Sequence, residues 1–212
     1  MGSTGASPGS SPCRSRGSPS GAKSTLVEAA ARAWQELLTA QVHHWGPEPS
    51  AEDASLWREL WLETAHPRPQ GGIWLRAETM HELFASVDRQ AVELRAFDGV
   101  PLNTRSHGEG FLAFLESRTT ERGLWVLDEP ESALSFRSCL RLMVVLQGAV
   151  RTGSQVLLAT HSPVLAAFPG ATVYELDADG FTAREWSELE LARDWAAFFA
   201  DPGRLLHHLF DD

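Results

Sequence analysis

Gly123-Leu124-Trp125-Val126-Leu127-Asp128-Glu129-Pro130-Glu131-Ser132-Ala133-Leu134-Ser135 is an apolar run that stops at two adjacent carboxylates. Leu124 to Leu127 have the length and apolar character of a strand covered on both faces of a parallel sheet. Asp128 and Glu129 fall at its carboxyl end, and Pro130, which has no backbone donor, helps to stop the strand there. In open α/β sheets ligands bind outside the carboxyl ends of the strands. Downstream, Phe136 to Arg151 is helical in pattern and Gly153 ends it; Gln155 to Ala159 is a second buried strand, ending at Thr160-His161-Ser162-Pro163. His161 therefore projects toward the same edge as Asp128, although a lone histidine is also an ordinary structural residue.

Working outward, Ser106-His107-Gly108-Glu109-Gly110 leads into a helical stretch, Phe111 to Ser117. A serine, two glycines and a helix amino end suit anionic oxygens, and suit an ordinary capped helix start equally well. Upstream lie a short strand, Gly72 to Arg76, a helix from Thr79 to Ala96 and a loop from Phe97 to Arg105. An earlier helix, Glu52 to Thr64, is closed by Pro67 and Pro69. From Lys23, the residues Leu26, Ala30, Ala33, Trp34, Leu37 and Leu38 form one face of an amphipathic helix that ends before Gly46-Pro47. After the second strand come a short helix to Phe168, a hairpin pairing Thr172–Leu176 with Phe181–Trp186, and helices over Leu189–Ala200 and Gly203–Phe210. Strand and helix alternating in the middle, with a late hairpin, give a mostly parallel α/β sheet flanked by helices.

At 212 residues and 43% hydrophobic, the chain is most simply one domain over residues 21–212, behind a Gly/Ser/Pro-rich tail over residues 1–20 that is disordered by composition. A net charge of −10 argues against general nucleic-acid binding, which needs clustered Lys and Arg. Cys13 and Cys139 support neither a disulfide framework nor a cysteine-based zinc site, and the histidines elsewhere lack metal-ligand spacing. No apolar run approaches the ~18 residues that span a bilayer, and there is no signal-peptide core, so no membrane insertion and a cytoplasmic setting are expected.

Gly17-Ser-Pro-Ser-Gly21-Ala22-Lys23-Ser24, followed by Thr25 and a helix, approaches the phosphate-loop form G-x-x-x-x-G-K-[ST]. In that motif backbone N–H groups face phosphates, the lysine reaches the β and γ groups, and the hydroxyl binds Mg²⁺. Ala22 stands in place of the last glycine. A strand ending in Asp-Glu suits the same chemistry: the Asp anchors Mg²⁺ and the next carboxylate accepts a proton from attacking water. It also suits a solvated acidic turn.

In order and spacing these pieces resemble the ATP-binding-cassette (ABC) class of P-loop ATPases. They resemble more closely the small stand-alone bacterial AAA-family ATPases whose signature reads S-H-G-E and whose carboxylate strand reads L-D-E-P-E. The resemblance runs from about Ser20 to the carboxyl terminus and is strongest from Ser106 to Leu176. It implies ATP and Mg²⁺ as ligands, with Lys23 and Ser24 as phosphate-loop lysine and Mg²⁺ ligand within a loop of Gly17, Gly21, Ala22 and Thr25. Asp128 would be the second Mg²⁺ anchor, Glu129 the general base and His161 the γ-phosphate switch. Ser106, Gly108 and Gly110 would close over ATP held by a second subunit, so the resemblance implies a homodimer on ATP binding and leaves room for a further protein partner. The family's strand before the phosphate loop has no counterpart, since Ser11-Pro-Cys-Arg-Ser-Arg16 stands there. A misassigned start, a truncation or a frameshift is the expected cause of this incomplete front. A nucleotide-responsive interaction module, or a degenerate copy that does not hydrolyse, is the alternative function.

Overall fold

The structure is a computed structural model and describes residues 19–37, 43–45, 56–63, 71–89, 97, 99–177 and 180–210. Helix α1 (Pro19–Leu37) leads to strand β1 (His43–Trp45), then β2 (Gly71–Arg76), α2 (Met80–Asp88) and α3 (His107–Ser117). Strand β3 (Gly123–Asp128) follows, then α4 (Phe136–Arg151), β4 (Gln155–Ala159) and the single turn α5 (Pro163–Ala166). The hairpin β5 (Val173–Asp177) and β6 (Gly180–Arg184), then α6 (Glu190–Ala200) and α7 (Pro202–Phe210), end the described chain. Strands β1 to β4 form one parallel sheet in sequence order, and β5 and β6 form a separate antiparallel pair.

The central run is buried at every position because side chains of a strand alternate between two faces and both faces are covered. Trp125 and Leu127 join Ile73 and Leu75 in a core completed by Phe84, Phe111, Phe114 and Leu142 from the helices. Leu124 and Val126 join Trp74 on the opposite face, against Val27, Ala31 and Trp34 of α1. Trp34 also donates its indole N–H to the Gly71 carbonyl at 3.2 Å. At the start of β3 the backbone of Gly71 comes so close that a Cβ on Gly123 would lie 2.0 Å from the Gly71 oxygen. Gly123→Ala is therefore expected to part β2 from β3 at that end and to cost about 3 kcal/mol, as overpacked core sites do. Urea unfolding that finds less than about 0.5 kcal/mol would contradict this close approach.

Three helices differ from expectation. The helix expected to run from Lys23 to just before Gly46-Pro47 ends at Leu37, and His43–Trp45 is strand β1, because main-chain pairing with Gly71–Ile73 of β2 overrides local propensity there. Glu52–Thr64 holds, among its described residues, only a single 3₁₀ turn at Leu56–Glu59. Tertiary contacts override helix propensity there: Arg32 of α1 lies against the Trp57 ring at 5.1 Å, and Leu62 packs on the α1-side core. The helix expected to run from Thr79 to Ala96 begins at Met80 and ends at Asp88, with residues 90–96 outside the described residues. The Asp88 carboxylate accepts the backbone N–H groups of Leu102 and Asn103 at 2.7 and 3.0 Å, which ties the helix end to the following loop.

Candidate functional site

The carboxyl ends of β2, β3 and β4 finish level. Arg76 stands opposite Asp128, and Asp128 opposite Ala159, in the parallel register. The Asp128 carboxylate, only 3% exposed, uses both oxygens. Oδ1 accepts the Ser24 hydroxyl at 3.1 Å and Oδ2 accepts Arg76 Nε at 3.1 Å. Arg76 also donates from a terminal nitrogen to Glu28 Oε2 at 3.1 Å. Ser24 and Glu28 are four residues apart on α1 and so share one face of it. Burial works against the Arg76 charge, but the Asp128 and Glu28 carboxylates more than offset it, and the guanidinium pKa is raised above its ordinary value.

Glu129 has φ 47° and ψ 49°, and among the described residues no other non-glycine has positive φ. Left-handed backbone costs an L-residue about 1–2 kcal/mol, and such strain collects at functional sites. Hydrogen bonds hold it: Glu129 N–H donates to the Ala159 carbonyl at 2.9 Å, and Ser132 donates its N–H and hydroxyl to the Glu129 carbonyl at 3.1 and 2.8 Å. The resulting turn brings Glu129 Oε1 to 3.4 Å from His161 Nε2. Lys23 Nζ lies 2.9 Å from the same nitrogen. Which of these two contacts is a hydrogen bond depends on the imidazole tautomer: Nε2 accepts from Lys23 when it bears no hydrogen and donates to Glu129 when it bears one. The Glu131 carboxylate accepts the His161 backbone N–H. Burial lowers the Lys23 pKa, with Glu129, Glu131 and Asp128 opposing that shift.

The Ser106–Gly110 segment lies apart from this cluster and is a helix start. Ser106 donates its hydroxyl to Glu109 Oε2 at 2.6 Å and its backbone N–H to the same oxygen at 3.2 Å. Gly108 sits against the Ala133 carbonyl, where an added Cβ would lie at 3.1 Å, and Gly110 against the Phe84 ring, at 2.8 Å. Both glycines thus have a packing reason to lack a side chain. The two Ser106 hydrogen bonds lower the Glu109 pKa. A carboxylate with a depressed folded pKa contributes stability that is present above its unfolded value, near 4.5, and lost as pH falls through the folded one. The difference in unfolding midpoint between wild type and Glu109→Ala should therefore persist at neutral pH and close in acid below 4.5; a gap independent of pH would refute the assignment.

Lys23, Ser24, Asp128, Glu129 and His161 are brought together; Ser106, Gly108 and Gly110 are not among them. Gly17 lies outside the described residues. Gly21, Ala22, Lys23, Ser24 and Thr25, expected to form a loop before the helix, are already inside α1. Pro19 has the φ of a first helical residue, while Ala22 cannot supply the freedom of the glycine it replaces. Consequently Lys23 and Ser24 sit on the first turns of a helix and not at the end of a loop. Arg76, Glu28 and Glu131 belong to the cluster although the sequence did not assign them. Arg76 was recoverable in principle, as the last residue of a strand that pairs with the one ending at Asp128.

The donor set fits Mg²⁺. Octahedral ligands at about 2.0–2.1 Å lie about 3 Å apart when adjacent, and Ser24 Oγ and Asp128 Oδ1 are 3.1 Å apart. Among the described residues no group of three His, Cys, Asp or Glu side chains converges as an all-protein cage, and Mg²⁺ ordinarily takes only one or two protein ligands beside phosphates and waters. No helix among the described residues is long and apolar enough to cross a membrane.

No family model matches the chain, and no solved structure matches it. A stretch of 68 residues is 40% identical to UvrABC system protein A of Bacillus subtilis (strain 168), an ABC-ATPase family member; it covers 30% of this chain. The chain spans about 7% of the length of that relative.

Proposed function

We propose that residues 21–212 form a P-loop ATPase domain of ABC type, near the small AAA-family ATPases, that binds ATP with Mg²⁺ and hydrolyses it. The observation that carries the reading is the convergence of Lys23, Ser24, Asp128, Glu129 and His161 at the carboxyl edge of a parallel sheet. The local match to an ABC-ATPase family member supports the ATP-binding part. Ser24 and Asp128 would hold Mg²⁺, which when bound neutralises charge on phosphate oxygens. Lys23 offers its ammonium to the phosphates, and His161 holds that ammonium in place through Nε2 until ligand does so. Glu129 Oε1 accepts the proton of the attacking water, and its strained backbone aims the carboxylate at the sheet edge. In this reading two copies close on nucleotide in the cytoplasm, the Ser106–Gly110 segment of one completing the site of the other.

One observation favours the alternative, a nucleotide-responsive module that does not turn over: Gly21 to Thr25 are helical and form no phosphate-wrapping loop. Nucleotide titration with and without Mg²⁺ bears on both readings. Wild type should bind ATP more tightly with Mg²⁺, and Lys23→Ala should weaken binding about 10- to 100-fold, the worth of a charge-assisted hydrogen bond. Absence of any Mg²⁺-dependent binding would overturn both.

A further inference from the structure

Past the level of Asp128 and Ala159, the parallel ladder between β3 and β4 runs on by one hydrogen bond: Glu129 donates its N–H to the Ala159 carbonyl at 2.9 Å. In a regular parallel ladder the next bond would run from the His161 N–H to the Glu129 carbonyl. The left-handed backbone of Glu129 turns that carbonyl away, and Ser132 takes it with its N–H and hydroxyl. The His161 N–H goes instead to Oε1 of Glu131, which sits in the 3₁₀ turn Pro130–Ala133. A carboxylate thus stands in the place of a main-chain carbonyl. A neutral oxygen would suffice for that bond alone, as the Thr160 hydroxyl does for the adjoining Ser162 N–H at 2.9 Å. Glu131 Oε2, moreover, is buried without a hydrogen-bond partner among the described residues, an arrangement that costs stability and is not explained by it.

We infer that Glu131 is a positioning residue for the hydrolysis proposed above: its carboxylate restores the ladder bond that the turn at Glu129 gives up, and so holds His161 beside both Glu129 and Lys23. The two halves of the arrangement depend on each other. A left-handed Glu129 aims its carboxylate at the sheet edge but withdraws the main-chain acceptor that would fix the end of β4. Glu131, two residues further along the same turn, replaces that acceptor with its side chain. With the His161 backbone fixed there, the imidazole keeps its 3.4 Å contact with Glu129 Oε1 and its 2.9 Å contact with Lys23 Nζ. Glu131 acts through His161 and not on the reacting atoms. The catalytic consequence rests on the hydrolysis reading, whereas the placement of His161 does not.

NMR of the full chain without nucleotide tests the placement. Glu131→Ala should speed exchange of the His161 backbone amide at least about tenfold, the worth of a hydrogen bond to a charged group. Glu131→Gln, whose amide keeps an acceptor oxygen, should restore most of the protection. Glu129→Gln should shift the His161 ring resonances in the wild-type background and leave them unmoved in the Glu131→Ala background, a coupling that a merely stabilising residue would not carry. Glu131→Asp, one methylene too short to reach, should behave as Glu131→Ala and takes its place if the alanine variant does not fold. In turnover, Glu131→Ala should lower kcat about 10- to 100-fold with a smaller change in KM, and Glu131→Gln should recover most of kcat. Unchanged His161 exchange in Glu131→Ala, or a ring response to Glu129→Gln that survives it, would overturn the inference. So would a kcat equal to that of a hydrolysing wild type. A wild type without turnover would sink the hydrolysis reading instead, and exchange and ring coupling would still decide what holds His161.

Discussion

Glu129→Gln should lower phosphate release from ATP by about 10²- to 10⁴-fold, the usual contribution of a positioned general base, and leave nucleotide binding intact. The amide keeps the size and left-handed backbone of Glu129 but cannot accept a proton from water. Steady-state phosphate release and an ATP titration on the same samples read the two effects separately. Equal background rates in wild type and variant would remove hydrolysis from the proposed function and leave the non-hydrolysing module. The strained backbone adds an independent measure. Glu129→Gly relieves the left-handed conformation, and the contact it gives up, to a half-exposed His161 at 3.4 Å, is worth little. It should therefore stabilise the fold by about 1 kcal/mol while abolishing turnover. A residue whose removal raises stability and ends activity is kept for its chemistry.

Arg76→Ala should destabilise the protein by about 3 kcal/mol. The Asp128 and Glu28 carboxylates are almost fully buried and both accept hydrogen bonds from the Arg76 guanidinium, at 3.1 Å each. Removing one partner of a buried pair costs ~3–5 kcal/mol because the remaining charge is left in a poor solvent. The lower end applies here because the Arg76 side chain is itself 27% exposed and water reaches the altered site. Arg76→Lys should recover only part of the loss, since a single ammonium cannot reproduce the fork that bonds two carboxylates at once. Chemical unfolding of the three proteins checks this; an Arg76→Ala variant within about 0.5 kcal/mol of wild type would show the network to be ornamental to stability. If Arg76 also restrains Asp128 for Mg²⁺, Arg76→Lys should weaken Mg²⁺-dependent nucleotide binding more than Mg²⁺-free binding.

The side-chain cluster was legible where placement depends on local order along the chain. Asp128, Glu129 and His161 each terminate or follow an apolar strand, and a strand end fixes where the next side chain emerges. Lys23 and Ser24 were found from a motif, and the structure carries them to Asp128 by a different local route, inside a helix that starts at Pro19. The pairing of Arg76 with Asp128 and Glu28 was not legible, because the partners are 52 and 48 residues away and meet only through sheet register and helix docking. In the same way Leu140 and Val144 are apolar and helical in pattern yet face outward on α4, while Cys139, Leu142, Val145 and Leu146 face the core. Periodicity defines a helix face, and only packing decides which face is covered.

By itself the sequence determined the parallel α/β core, the strand that ends in Asp128 and Glu129, the boundaries of α4 and β4, and the presence of the late hairpin, because each follows from hydrophobic period and local breakers. Only the tertiary structure decided that Glu129 takes left-handed backbone, that Ser106 is occupied in capping its own helix, that Arg76 joins two buried carboxylates, and that Glu131 takes up the His161 N–H. The physical reason is common to all four: each depends on which groups from distant segments come within hydrogen-bonding or van der Waals reach, and that distance is set by how the strands register and the helices dock.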